Sequence, residues 1–326
     1  MGKKHSHLSI EEREMIGIML AQGKSRREIG RSLGRHHTTI GRELEQNAPP
    51  IYKGYYLAHK AHERATKRRV ESHQRPRLKN PCIKEYVVEK LKDHWSPEQI
   101  AGRISVDHPG LHIGYEAIYQ YIYHEAPDMT HYLTRGHRKR YRRGHSRRHK
   151  QSHIPERISL TERPHEAEGR NVIGHWEGDT VISRKSRAAL QVLAERKSRY
   201  IQLTKLRRRT ADMMKSAVIL RLGTVPPYAR KTLTLDNGSE NTEHREITCA
   251  LGTKTYFCAP FHSWEKGTVE NAVGLVRRFF PKKTDFSLVS DTQIRKVEML
   301  LNNRPRKCLH YATPLEVFSG AIAGGM

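Results

Sequence analysis

Acidic residues are scarce in this chain: its 326 residues include 60 Lys and Arg but only 34 Asp and Glu, a formal charge of +26. Such a balance makes phosphate polyanions the obvious class of partner, although ribosomal, chromatin and membrane-surface proteins share it. Cysteine is scarce too. Cys82, Cys249, Cys258 and Cys308 stand far apart, with no Cys-x-x-Cys pair and no matching His pair, which supports neither a zinc knuckle nor a disulfide framework and makes a reducing cytosol the default. No apolar run reaches the ~18 residues that a membrane span needs, and no hydrophobic segment follows Lys3 and Lys4, so the expectation is a soluble cytoplasmic protein. The length predicts two or three domains.

Residues 1–48 carry helical signals. Ser9 with Glu12 and Ser25 with Glu28 read as capping boxes. Ile16, Met19 and Leu20 mark a first helix, Ile29 and Leu33 a second, and Ile40 and Leu44 a third that begins near His37 after Gly34. Two short helices joined by a Gly-containing turn make a helix-turn-helix, which nominates Arg35, His36, His37, Thr38, Thr39 and Arg42 as DNA contacts. A three-helix packing unit with a solvated polar face fits this segment equally well. Residues 49–79, with Ala58, Ala61 and Ala65 among many basic residues, predict a basic helical connector, either along a DNA backbone or simply solvated.

Residues 80–130 look like a second helix-turn-helix. Ile83, Val87, Val88 and Leu91 mark one helix, Ser96, Pro97 and Gln99 open the next, and a third follows Gly114. Its Tyr115, Gln120 and Tyr121 are candidate groove contacts, though packing is the plainer role for most of its tyrosines. From Arg135 to Lys150 basic residues and histidines crowd together without one acid, a run that cannot bury itself, and residues 131–168 read as a basic linker.

Beyond the linker, strand-like runs cover Gly174 to Ile182, Ala189 to Glu195 and Tyr200 to Leu206. A helical period from Thr210 to Leu222 and a further strand from Lys231 to Asp236 come next. That order predicts a mixed α/β domain over residues 169–326. An Asp inside an apolar strand is the odd residue. Asp179 lies in the first strand and Asp236 at the C-terminal end of a later one, where α/β sheets present ligands. Glu270 opens a helix from Thr268 to Phe280, and Arg277, two turns on, shares its face. Three carboxylates that converged without cations would repel one another, so they read as ligands for hard divalent cations, and a neighbouring guanidinium suits phosphodiester chemistry. A solvated helix face is the plainer reading of Glu270 and Arg277. Glu177 is expected to turn away from Asp179. Glu240, Glu243 and Glu265 fall in loops, with Glu265 the chief rival of Glu270, and His244 reads as a loop histidine or a donor near the site.

Four ordered pieces carry a resemblance. Trp176-Glu-Gly-Asp179, Asp236-Asn-Gly-Ser-Glu240, Tyr256-Phe-x-x-Pro260 followed by Trp264-x-x-Gly267-x-x-Glu270-Asn271, and Leu301-Asn-Asn-Arg-Pro-Arg-Lys-Cys308 with Thr313-Pro314-x-Glu-x-Phe318 resemble the DDE transposases of bacterial insertion sequences, specifically the IS30 family. The 33 residues between Asp236 and Glu270 are similar to that family's spacing. Leu33-Gly-Arg and Ile40-Gly-Arg-Glu-Leu44 resemble its N-terminal helix-turn-helix, so the likeness spans nearly the whole chain. His36-His37-Thr38-Thr39 departs from the small polar and Pro residues frequent in relatives.

The resemblance implies a ribonuclease-H-like (integrase-type) catalytic core preceded by all-α helix-turn-helix domains. Within it, Asp179, Asp236 and Glu270 would be the catalytic residues and would hold two Mg²⁺ ions, with Mn²⁺ as a substitute and Asp179 as the bridging ligand. The implied reaction is hydrolysis at element ends followed by attack of the freed 3′-hydroxyls on target DNA. The implied partners are double-stranded DNA, both terminal inverted repeats and target, and at least one further copy of the chain, at the nucleoid of a bacterial cytoplasm. The alternative is a DNA-binding repressor whose catalytic core has decayed; a site-specific nuclease without strand transfer is a third reading.

Overall fold

The computed structural model describes residues 7–47, 55–73, 77–133, 154–259 and 263–324, and the chain forms two compact units, Met1–Arg77 and Leu78–Met326. The basic run from Arg135 to Lys150 lies outside the described residues.

The first unit is helical: α1 (Ile10–Ala21), α2 (Arg26–Ser32), α3 (His37–Asn47) and α4 (Ala58–His73). Both capping boxes form. Ser9 and Ser25 accept the amide three residues on, and Glu12 and Glu28 reach back to the serine amides, so each helix starts with its first donors satisfied. Only four residues separate α2 from α3, and the turn passes so close over α2 that a Cβ on Gly30 would lie 2.8 Å from the Arg35 carbonyl oxygen. Leu8, Ile16, Met19, Ile29 and Ile40 form the core. The helix expected as a connector, α4, packs on α1 and α3 instead. Ala61 is fully buried, and Arg64 donates to the Asn47 carbonyl at 3.0 Å. The small Ala side is what lets the helices approach, while Lys60, Lys67 and Arg69 stay exposed.

The second unit begins with α5 (Pro81–Lys92), α6 (Pro97–Asp107) and α7 (Tyr115–His124) around Val87, Leu91, Ile100, Ile104, Ile118 and Ile122. Residues 108–114 join α6 to α7, a longer connection than the turn between α2 and α3. Expected as a separate domain, these helices share one compact unit with the C-terminal α/β region. Gln99 donates to the Pro305 carbonyl at 2.6 Å, Arg304 donates to Gln99 at 2.8 Å, and Arg103 donates to Glu316 at 2.8 Å.

The α/β region comprises α8 (Glu166–Gly169), β1 (His175–Ile182), β2 (Ala189–Glu195), β3 (Ile201–Leu206), α9 (Ala211–Gly223), β4 (Thr232–Leu235), α10 (His244–Leu251), β5 (Lys254–Phe257), α11 (Gly267–Phe279), α12 (Asp291–Asn302) and α13 (Pro314–Ala323). The sheet order is β3-β2-β1-β4-β5. β1, β2 and β3 run antiparallel in turn, and β4 and β5 continue the sheet parallel to β1. One face, with Trp176, Leu193 and Leu233, packs on α9, α10 and α13. The other, with Val181, Leu190 and Val192, packs on α11 and α12. Every residue of β2 is therefore buried, as its nearly continuous apolar run requires. Three antiparallel strands extended by two parallel ones, covered by helices on both faces, make the expected mixed α/β, ribonuclease-H-like core.

Candidate active site

Parallel pairing of β1 with β4 sets Trp176 beside Leu233 and Glu177 beside Thr234. Continued by two residues, the same register brings Asp179 level with Asp236, just beyond the end of β4. The Asp236 carboxylate is oriented by the Gly238 amide at 3.2 Å and the Asn241 side-chain amide at 2.8 Å. Asp179 accepts the Thr180 amide at 2.9 Å. Both carboxylates face one cation: Lys266 Nζ lies 3.7 Å from Asp179 Oδ1 and 3.7 Å from Asp236 Oδ2, and it donates to the Gly178 carbonyl at 3.0 Å. Lys266 is only 5% exposed. Burial pulls its ammonium down, but Asp179 and Asp236 outweigh that and hold it above the ordinary lysine value. A Cβ at Gly178 would meet Leu235 Cδ2 at 2.8 Å, so a side chain there would require that leucine to shift.

The expectation that Glu177 turns away from Asp179 is corrected. Residues two apart on a strand share a face, and Glu177 points with Asp179 toward α11. Its Oε2 accepts the Thr268 and Val269 amides, each at 2.9 Å, and its Oε1 accepts Arg196 at 2.9 Å. A fully buried carboxylate thus satisfies the first donors of α11, where the helix dipole favours negative charge. It ties the helix bearing Glu270 to the strand bearing Asp179.

Glu270 lies exposed on the first turn of α11, one turn beyond Lys266. Among the described residues no three His, Cys, Asp or Glu side chains are grouped closely enough to hold an ion. Two of the three expected ligands therefore converge, and the third stays outside the pair. The donor set still fits a hard cation, because two carboxylates face a single positive charge.

The rival acids have other partners. Glu265 accepts the Ala259 amide at 2.9 Å, and Glu243 pairs with Lys215 at 2.7 Å. Glu240 is buried beside the pair, 3.4 Å from Arg209. Burial first, and then the charges of Asp236 and Asp179, push its carboxyl up against the pull of its backbone and Arg209. His244 is a buried structural histidine, its ring nitrogens 2.9 Å from Thr255 Oγ1 and 3.1 Å from the Pro155 carbonyl. Arg277 is partly buried and donates to the Pro281 carbonyl at 3.4 Å. Sequence reasoning missed Lys266 and the anchoring by Glu177. The available signals were a Lys just ahead of Gly267, and an acid two residues before Asp179.

Among the residues nominated for DNA, His36, His37, Thr38, Thr39 and Arg42 are exposed at the start of α3. Arg35 is engaged with Glu12 at 2.8 Å, which ties the turn to the start of α1. His36 Nδ1 lies 2.8 Å from Thr38 Oγ1. On α7, Tyr115 is 51% exposed, whereas Tyr121 packs in the core and Gln120 bonds Glu116 at 3.1 Å.

A family model described as a helix-turn-helix domain matches residues 4–47. The chain is 36% identical over 330 residues to the transposase InsI for insertion sequence element IS30A of Escherichia coli (strain K12), covering 98% of this chain and 85% of that one. It is 34% identical over 318 residues to the transposase for insertion sequence element IS4351 of Bacteroides fragilis, covering 97% and 96%. It is 35% identical over 329 residues to the transposase for insertion sequence element IS1086 of Cupriavidus metallidurans, covering 98% and 96%. Among solved structures, the catalytic core domain of BIV integrase is a distant likeness, with 19% identity and a TM-score of 0.38 over 46% of this chain and 97% of that one. With full-length relatives at this identity and a helix-turn-helix at its N-terminus, the chain belongs to the IS30 family of transposases.

Proposed function

We propose that this transposase binds the ends of its element through its helix-turn-helix units and cuts and joins DNA strands with Asp179, Asp236 and Glu270 as catalytic residues. The observation that carries the reading is the convergence of Asp179 and Asp236 on one buried positive charge at the centre of the sheet. Asp179 and Asp236 would hold divalent ions, Mg²⁺ or Mn²⁺, with Glu270 completing the set. When bound, two such ions supply charge stabilisation to both the attacking and the leaving oxygen of an in-line phosphoryl displacement.

The chain's own groups set the stage for that chemistry. Asn241 and the Gly238 amide fix the Asp236 carboxylate just past the end of β4, and Glu177 fixes the start of α11, which carries Glu270. The exposed start of α3 offers His36, His37, Thr38, Thr39 and Arg42 to a major groove, and α7 offers Tyr115. Arg277, on the helix of Glu270, supplies positive charge for phosphate. Handling two ends together calls for at least two copies of the chain.

The test uses the full chain and its Asp236→Asn variant with element-end DNA and Mg²⁺, scoring binding and strand cleavage separately. We expect binding to be retained and cleavage to be lost in the variant. Equal cleavage by both proteins would remove Asp236 from the mechanism, and binding without cleavage by the unaltered chain would favour a repressor.

A further inference from the structure

We propose that Lys266 is the resident counter-cation of the aspartate pair, a positioning residue that keeps Asp179 and Asp236 converged and that an entering divalent ion must displace. This rests on the reading of the pair as metal ligands.

Position is the first argument. A single ammonium faces one oxygen of each carboxylate at the same distance, 3.7 Å, in the place between them where an ion would be shared. Fixation is the second. Lysine ordinarily keeps its head in water, but here the side chain is buried and its head is pinned to the Gly178 carbonyl at 3.0 Å. Location in the chain is the third. Lys266 is the N-cap residue of α11 and Glu270 lies in that helix's first turn, so one short segment carries both the cation that sits with the aspartates and the carboxylate that does not.

The electrostatics work in two directions. Two carboxylates brought together without a positive charge repel each other, so Lys266 makes the metal-free arrangement tolerable. The same charge repels a second cation, so it weakens divalent binding. Removing the charge while keeping the bulk therefore destabilises the metal-free protein and tightens metal binding.

The experiment is a Mn²⁺ titration of the full chain without DNA, read by the electron paramagnetic resonance signal of free Mn²⁺ and, in parallel, by thermal unfolding. Lys266→Met should bind Mn²⁺ at a free concentration lower by about tenfold or more, since a full charge at contact distance is removed. It should also melt below the unaltered chain without metal and gain more on Mn²⁺ addition. Lys266→Arg, which keeps the charge, should stay close to the unaltered chain. If Lys266→Met does not fold, Lys266→Gln takes its place under the same criterion. A midpoint in the uncharged variant equal to or above that of the unaltered chain overturns the role of Lys266. Asp236→Asn binding Mn²⁺ as the unaltered chain does would instead overturn the metal reading, so the two failures are distinct.

Discussion

The carboxylate of Glu177 meets two backbone amides of α11 and the Arg196 guanidinium in a fully buried place. A buried pair is costly to break from one side, because the surviving charge stays behind. Glu177→Ala leaves Arg196 buried with Glu168 at 3.7 Å as its remaining acid, and the expected loss is about 3–5 kcal/mol. Urea unfolding of the full chain, followed by tryptophan fluorescence, measures it, since Trp95, Trp176 and Trp264 all lie in the second unit. Glu177→Gln keeps an acceptor and should lose less. Stability unchanged in Glu177→Ala would end the anchoring role. The residue's direction was legible from strand alternation alone; its partners were not, because Arg196 and Thr268 come from distant parts of the chain.

At the scale of elements, the first unit followed its local signals closely. Capping boxes and apolar spacing at four-residue intervals are short-range features, so α1, α2 and α3 could be read directly. The placement of α4 could not, since its packing depends on which helices Ala61 meets. Helix α3 has its polar start exposed, and Arg42, in its second turn, is exposed as well. Arg42→Ala should weaken binding to duplex DNA and reduce the slope of log affinity against log salt by about one if the guanidinium contacts a phosphate. A salt titration of binding by fluorescence anisotropy checks it, and an unchanged affinity and slope would take Arg42 off the DNA. Strands β1 to β4 were legible as apolar runs. Short β5, with its exposed Lys254, showed only as part of a motif.

At the scale of the whole second unit, Arg103 of α6 joins the helical part to α13 through Glu316. The hydrogen bond from Arg103 holds the Glu316 carboxyl down at about 2, against some burial and with help from the Thr313 amide. A carboxyl whose folded value lies below its unfolded one stabilises fully above the ordinary glutamate range and loses that contribution as pH falls toward about 2. Glu316→Gln keeps the cap on α13 but loses the charge. It should melt below the unaltered chain at neutral pH, and the gap should close between the ordinary glutamate range and pH about 2. Melting curves across that range decide it; a gap that stays constant with pH would mean the ion pair is not its source. Glu316 is half exposed, so the effect is modest.

The sequence by itself determined the basic character of the chain, the capped helices of the first unit, the strand pattern of the core and the contexts that singled out Asp179, Asp236 and Glu270. These rest on composition and short-range periodicity, which act within a few residues. Only the tertiary structure decided that the helices of residues 78–133 share a compact unit with the core, that Glu177 anchors α11, and that Lys266 rather than Glu270 stands with the two aspartates. Each of those outcomes depends on charges and donors that are far apart in the chain and meet only when the sheet and its covering helices close around them.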